Sequence, residues 1–280
     1  MIAVHLARDR APAVAAGLLL LHSLTSRSVE VTACTAEDAE ALGVPVSTAT
    51  APSAVVAVGG DGTMLEAATF ATAADADIVG VNVGRVGFLA EVEVTDLDAL
   101  ADVLASGRYD VKERMTLEAT HDGTTHVGLN DVVVEKIGSQ QMISVKIDVD
   151  GERFLTYRAD GVIVSTPTGS SAYNLSAGGP LVDPRLAAMV ITPVAAYSLF
   201  SAPVVLHPGA ELTIRIIHDR PAGCSVDGRE SIVLTPGDTV QVQAGPSLRL
   251  IDVSGRSYPE TLRSKLRLPE GISGIQGTDA

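Results

Sequence analysis

Ala54-Val55-Val56-Ala57-Val58-Gly59-Gly60-Asp61-Gly62-Thr63 is the stretch on which the fold turns. A continuous apolar run rich in β-branched residues reads as a buried parallel strand, and the Gly59-Gly60 pair ends it. Met64 to Thr72, rich in alanine, then reads as a helix with Leu65, Ala68 and Phe70 available to face inward. After an acidic turn a second apolar run, Ile78 to Val83, follows. Strand, helix and strand in that order predict a doubly wound α/β domain for the N-terminal part.

Upstream, Arg8 and Arg10 precede the apolar Ala13 to Leu21, which has the look of a signal-peptide core. The chain opens on an apolar run, Met1 to Leu6, where a charged region should stand, and no clear small-residue cleavage site follows. A first strand followed by a helix with one buried face explains the segment better. Downstream of about residue 110 the pattern changes. Ile143, Val145, Ile147 and Val149 alternate with Ser144, Lys146 and Asp148, and Asp150-Gly151 supplies a type I′ hairpin signal. The alternation recurs at Leu212-Ile214-Ile216 and Val240-Val242, with Pro208-Gly209, Asp227-Gly228 and Pro236-Gly237 as punctuation. The expected organisation is an α/β domain over 1–105, a β-sandwich over 106–255 and a tail over 256–280 that packs back on the first domain, its Gly271 to Ala280 end frayed.

A chain of 280 residues suits that division at roughly 150 residues per domain. With 46% hydrophobic residues but only five Tyr, four Phe and no Trp, the core must be built from Ala, Val, Leu and Ile. The formal net charge is −14, and only four of the 20 basic residues are lysine. So acidic a surface argues against a nucleic-acid partner, which would require a basic patch, but not against a nucleotide held by local N–H groups. Two cysteines, Cys34 and Cys224, make no disulfide framework and no metal motif, and no apolar stretch reaches the length that spans a membrane. The chain reads as cytoplasmic.

Two glycine-rich segments carry the chemistry. In Gly59 to Thr63 the glycines let the backbone turn sharply, and successive N–H groups with the following helix N-terminus form an anion site. Asp61 would repel a phosphate there; it makes sense as a base, as a carboxylate facing magnesium, or as a cap on the helix. In Asp160 to Pro180 a strand, Val162 to Val164, runs into small and hydroxyl residues and ends in Gly178-Gly179-Pro180. Such a run admits a flat base or ribose and supplies it with hydrogen bonds, or is an ordinary Ser/Thr turn. The chain holds no GxxxxGK[ST], no GxGxxG after a strand, no GxSxG and no HExxH, and its six histidines form no metal-spaced pair.

Taken in order, these segments resemble the NAD kinase family. Its GGDGT is Gly59 to Thr63; its Asn-x-Gly-x-x-Gly-Phe-Leu is Asn82 to Leu89, in a form similar to archaeal members; its Leu-Asn-Glu is Leu129-Asn130-Asp131. The long Asp-Gly…Thr-Pro-Thr-Gly-Ser-Thr-Ala-Tyr…Ser-Ala-Gly-Gly-Pro block is Asp160 to Pro180, with Ser171 for the usual Thr. A looser match runs from Ile191-Thr192-Pro193 to Pro203, and the family's late aspartate is Asp227. GGDGT alone is shared with phosphofructokinases and lipid kinases; the Thr166 to Pro180 block is specific.

The resemblance implies an N-terminal α/β domain, a C-terminal β-sandwich and an active site in the cleft between them. It implies phosphoryl transfer from ATP or polyphosphate, with Mg²⁺ or another divalent cation carried on the donor phosphates, to the 2′-hydroxyl of the adenosine ribose of NAD. Gly59, Gly60, Gly62, Thr63 and Arg85 would hold donor phosphates, and Asp61 would take the hydroxyl proton. Asp61, Gly62, Phe88, Asn130, Asp131, Arg158, Asp160, Thr168, Ser171, Ala172, Tyr173 and Ser176 would bind NAD, with Ser171, Ala172, Tyr173 and Ser176 lining the adenine pocket and Tyr173 as a stacking surface. Family members form dimers and tetramers, so a homodimer or homotetramer is expected. Two positions depart from the pattern: Asp131 replaces Glu and is one methylene shorter, and Tyr197 stands where His is frequent. Two other readings share the motifs. A lipid kinase would need an apolar acceptor groove; an NAD-binding sensor would have weakened chemistry.

Overall fold

A computed structural model describes residues 1–47, 51–84, 87–138, 141–217 and 220–266. Arg85, expected at the donor phosphates, and the tail from 267 onward lie outside the described residues. In chain order the first part contains β1 (Ile2–Leu6), α1 (Ala11–Ser26), β2 (Val31–Ala33), α2 (Ala36–Leu42), β3 (Ala54–Gly59), α3 (Asp61–Ala73), β4 (Asp77–Asn82), β5 (Val92–Glu93), α4 (Leu97–Ser106) and β6 (Asp110–Arg114). Then come β7 (Leu117–His121), β8 (Thr124–Gly128), β9 (Asp131–Lys136), β10 (Ile143–Val149), β11 (Glu152–Ala159), β12 (Gly161–Ser165) and a short α5 (Tyr173–Ser176). They are followed by β13 (Met189–Val194), β14 (Val204–Leu206), β15 (Leu212–Ile216), β16 (Ala222–Val226), β17 (Arg229–Leu234) and β18 (Thr239–Ala244). Last are β19 (Leu248–Asp252) and α6 (Tyr258–Leu266). Among the described residues no helix is long and apolar enough to cross a membrane.

Two compact units emerge: Met1–Met64 with Val79–Asp110 and Ile251 onward, and Leu65–Ile78 with Val111–Leu250. The α/β sheet runs β2-β1-β3-β4-β19-β6, with β5 beside β4. Its β1 pairs in parallel with both β2 and β3, as the continuous apolar runs require. Ile2, Val4, Leu6, Val56, Val58, Val79 and Val81 point to one face, where α1 brings Ala13, Ala16, Leu20 and Leu24 and α4 brings Leu97, Leu100 and Leu104. Gly80 points to the other face, and a Cβ there would lie 3.1 Å from the Met64 sulfur of α3. Helices on both faces make the unit doubly wound.

α3 differs from its sequence reading in two respects. It starts at Asp61, three residues before Met64. Its buried face is Met64, Ala67, Ala68 and Ala71, at helical spacing, while Leu65 is only partly covered and Phe70 is 36% exposed. Phe70 is off the stripe by its phase, whatever its hydrophobicity.

The second unit is a β-sandwich of two antiparallel six-stranded sheets, β11-β10-β15-β18-β7-β8 and β14-β13-β12-β9-β16-β17. Val145, Ile147, Ile214, Val240 and Val242 from the first sheet share a core with Val132, Val134, Val162, Val164, Met189 and Ile191 from the second. Aromatics being scarce, Tyr157 is the one ring among its fully buried members. The expected hairpin is present: β10 and β11 pair, with Asp150 at φ 52° and Gly151 at φ 78°. β19 shows the alternation of the sandwich strands yet joins the α/β sheet beside β4, because period alone does not say which sheet a strand enters.

Candidate active site

In the first unit, β3 ends at Gly59 and α3 begins at Asp61, so the N–H groups of its first turn have no intrahelical acceptor. Gly60 is partly covered, Gly62 exposed and Thr63 half-buried. The Asp61 side chain does not cap α3. Its Oδ2 accepts the Phe88 N–H at 2.7 Å, and its Oδ1 accepts those of Leu89 at 3.0 Å and Ala90 at 3.3 Å. A carboxylate has about four lone-pair directions, so three bonds fix its orientation and leave one open on Oδ2. Gly87 is what allows this wrapping: a Cβ there would overlap the Asp61 carboxylate. The backbone of Phe88, Leu89 and Ala90 therefore serves Asp61. Earlier in the chain, Asn82 accepts the Gly84 N–H at 3.1 Å.

In the second unit, the hydroxyl-rich block is built by its own hydroxyls. Thr166 Oγ1 donates to the Leu129 carbonyl at 2.6 Å and accepts the Gly169 N–H at 2.9 Å. Ser170 Oγ donates to the Pro167 carbonyl at 2.6 Å and accepts the Val182 N–H at 2.9 Å. Buried Asn174 gives its amide N–H groups to the Ser170 and Pro180 carbonyls and takes the Thr192 hydroxyl at 2.6 Å. Most of these groups are thus paired with the scaffold. The small residues serve close approach: a Cβ on Gly169 would overlap the Asn130 carbonyl.

That approach shapes a cavity of ≈ 270 Å³ lined by Leu65, Asn130, Asp131, Val133, Glu135, Ala172, Tyr173, Ser225, Asp227 and Gly228. Of the residues expected to bind NAD it brings together Asn130, Asp131, Ala172 and Tyr173, the last 38% exposed. Thr168, Ser171 and Ser176 belong to the same turn but do not line it, and Arg158 is exposed on β11. Asp160 is ion-paired with Lys136 at 2.8 Å. Tyr197 is 76% exposed and its N–H donates to the Arg158 carbonyl. Sequence reasoning missed Glu135 and Ser225, whose alternation along β9 and β16 reads as ordinary strand. It also missed Arg10: a Cβ on Gly84 would lie 2.8 Å from its guanidinium, beside the Gly60 turn.

Asp227 braces the cavity. Held at φ 53° in the β16–β17 turn, it accepts the N–H groups of Leu129 at 2.8 Å, Asn130 at 2.7 Å and Asp131 at 3.1 Å. Burial and this neighbouring carboxylate push Asp131 up to about 7. Burial also raises Asp227, but its three N–H donors and Arg229 at 3.5 Å oppose that. Because the acid is raised, the folded state binds more protons than the unfolded one between the ordinary carboxylate range and pH 7. Stability attributable to Asp131 thus falls as pH rises through that window. Asp131→Asn is expected to remove this loss, so that from pH 5 to 8 the variant gains on the wild type by about 3 kcal/mol. Urea unfolding across that range checks it; parallel curves would refute the raised Asp131 carboxyl.

Burial pushes both Cys34 and Cys224 up to about 12, so neither thiol is a nucleophile at neutral pH.

Comparison with known proteins matches residues 22–109 to the ATP-NAD kinase N-terminal domain and residues 129–251 to the ATP-NAD kinase C-terminal domain. The NAD kinase of Moorella thermoacetica is 39% identical over 261 residues, covering 89% of this chain and 83% of that one. The NAD kinase of Heliobacterium modesticaldum is 42% identical over 220 residues, 76% of this chain and 78% of the relative. Among solved structures, yeast NADH kinase complexed with NADH superposes with a TM-score of 0.84 at 22% identity, over 97% of this chain and 88% of that one. An NAD kinase from Archaeoglobus fulgidus in complex with ATP superposes with a TM-score of 0.73 at 22% identity, over 95% and 98%. The α/β unit carrying Asp61 and the β-rich unit carrying the Asn130–Tyr173 cavity are those of one family, and this chain belongs to it: the NAD kinases.

Proposed function

We propose that the chain transfers the terminal phosphoryl group of ATP to the 2′-hydroxyl of the adenosine ribose of NAD, with Asp61 as the base. The observation that carries the assignment is the carboxylate itself, at the first turn of a helix and fixed by three backbone N–H groups with one acceptor direction open. Phosphoryl transfer needs positioning and charge stabilisation more than covalent help. The first-turn N–H groups of α3 at Gly62 and Thr63, together with the backbone of Gly59 and Gly60, receive donor phosphates. Arg85 is assigned to the same phosphates from the family pattern. A ribose hydroxyl is a weak acid, so Asp61 accepts its proton late, as the phosphoryl group arrives.

NAD is held by Asn130 and Asp131, with Tyr173 and Ala172 against the adenine and Asp160 toward the nicotinamide end. With its carboxyl pushed up to about 7, Asp131 in its protonated form offers a donor where an ionised carboxylate offers only acceptors. Phe88, Arg158, Thr168, Ser171 and Ser176 complete the set. Magnesium, or another divalent cation, travels on the donor phosphates, and polyphosphate satisfies the same N–H cradle as ATP. A homodimer or homotetramer working in the cytoplasm fits the family. Asn130, Asp131, Glu135, Ser225 and Asp227 make the cavity polar, which disfavours a lipid acceptor.

Incubation with NAD and Mg·ATP, read with an NADP-specific dehydrogenase, tests the reading. NADP should form one-for-one with ADP. NAD bound without NADP formed would make the chain a sensor instead.

A further inference from the structure

α6 begins with a reciprocal cap. Ser257 gives its N–H and hydroxyl to Glu260 Oε2 at 2.8 and 2.9 Å, and Glu260 returns its N–H to Ser257 Oγ at 3.4 Å. None of the helix's residues is fully buried. Against that polar background Lys265, in the last turn, is unusual: its ammonium nitrogen is closed off from solvent and has no hydrogen-bond partner among the described residues. An ammonium carries three N–H donors, and removing them from water without an acceptor is costly.

The charges acting on Lys265 are the carboxylates of Asp61, Glu91 and Glu93 and the guanidinium of Arg256. Burial outweighs their attraction and holds the lysine below its ordinary range. Asp61 is already fixed by three backbone N–H groups, and Glu91 accepts the Ser254 hydroxyl at 2.5 Å. The Lys265 ammonium makes no hydrogen bond to any of these carboxylates, so its donors are unmet within electrostatic reach of the one assigned to the reaction. An anionic oxygen entering next to Asp61 would supply an acceptor. The adjoining first turn of α3, with its free N–H groups, favours negative charge at the same place.

We propose that Lys265 is a donor-phosphate contact, its ammonium donating to an oxygen of the transferring phosphoryl group beside Asp61. The proposal rests on the NAD kinase reading of the site. Lys265 exchanges no proton and forms no covalent bond in the transfer; it offsets charge that the phosphoryl oxygens carry as the donor bond breaks.

The test is Lys265→Met and Lys265→Arg in the full chain, with initial rates varied separately in Mg·ATP and NAD. Thermal unfolding is followed with and without Mg·ATP. For K265M we expect kcat lower on the order of 100-fold and KM for Mg·ATP raised roughly tenfold, as for loss of one charged donor. The KM for NAD should stay within about twofold, because uniform binding of NAD is untouched. The stabilisation that Mg·ATP gives the wild type should vanish in K265M and return in part in K265R. Unchanged kcat and unchanged KM for Mg·ATP would overturn the proposal, as would equal losses toward both substrates. Should K265M not fold, Lys265→Gln takes its place; if neither folds, the lysine is structural and the proposal falls. Failure of the function reading looks different, since the wild type itself would then form no NADP.

Discussion

Asp61→Asn is expected to lower turnover by about 10²–10⁴-fold, the usual worth of a general base, while NAD affinity stays within about twofold. The substitution keeps shape and volume. Its amide oxygen can still accept the Leu89 and Ala90 N–H groups that Oδ1 holds at 3.0 and 3.3 Å. The amide nitrogen then faces the Phe88 N–H, donor against donor, and offers no lone pair to a ribose hydroxyl. Asn130, Asp131, Ala172 and Tyr173 have no part in that change, so binding of NAD should persist. Equilibrium titration with NAD alongside single-turnover rates separates the two quantities. Survival of turnover would remove Asp61 from its assigned role.

Gly169→Ala should be the most damaging single methyl in the second unit. The added Cβ would overlap the carbonyl of Asn130, which is backbone and has no rotamer by which to yield. That carbonyl also accepts the Thr166 N–H at 2.9 Å and the Ser165 hydroxyl at 3.3 Å, so displacing it breaks the brace between β9 and the Thr166–Ser171 turn. Overpacking of this kind costs about 3 kcal/mol of unfolding free energy. Because Asn130 and Asp131 move with the carbonyl, NAD affinity should fall by at least roughly tenfold, a loss of about 1.4 kcal/mol. Mg·ATP stabilisation, which depends on first-unit residues, should be retained. Denaturant unfolding and NAD titration of G169A check both parts. Wild-type values in both would show that the turn gives way freely.

The α/β unit was legible from β3 outward because a continuous apolar run closed by two glycines has few other meanings. The β-sandwich was legible from alternation, down to the Asp150-Gly151 hairpin. Two limits were physical. The start of α3 was placed late because Gly62 is a weak helix former, and the bonds that hold Asp61 in the first turn come from residues 88–90, remote in sequence. β19 looked like any sandwich strand, since alternation carries no address. Within the candidate site, Asp61, Asn130, Asp131 and Tyr173 could be named from motifs, but the division of labour could not. The hydroxyls of Thr166 and Ser170 belong to the scaffold, and the backbone of Phe88 matters through its N–H. Asp227 was reachable only through the family resemblance, because three N–H bonds to a distant strand leave no local trace. Lys265 left none either: one lysine on a polar helix looks solvated until its nitrogen is seen to be enclosed.

The central claim is that a fixed aspartate directs phosphoryl transfer to one hydroxyl of NAD. Phosphorus NMR of the product formed from NAD and Mg·ATP measures this directly. A single new monoester resonance, assigned to the 2′-position of the adenosine ribose and growing in about 10²–10⁴-fold more slowly with D61N, is the predicted result. A phosphate on any other hydroxyl, or the same resonance at wild-type rate from D61N, would contradict it.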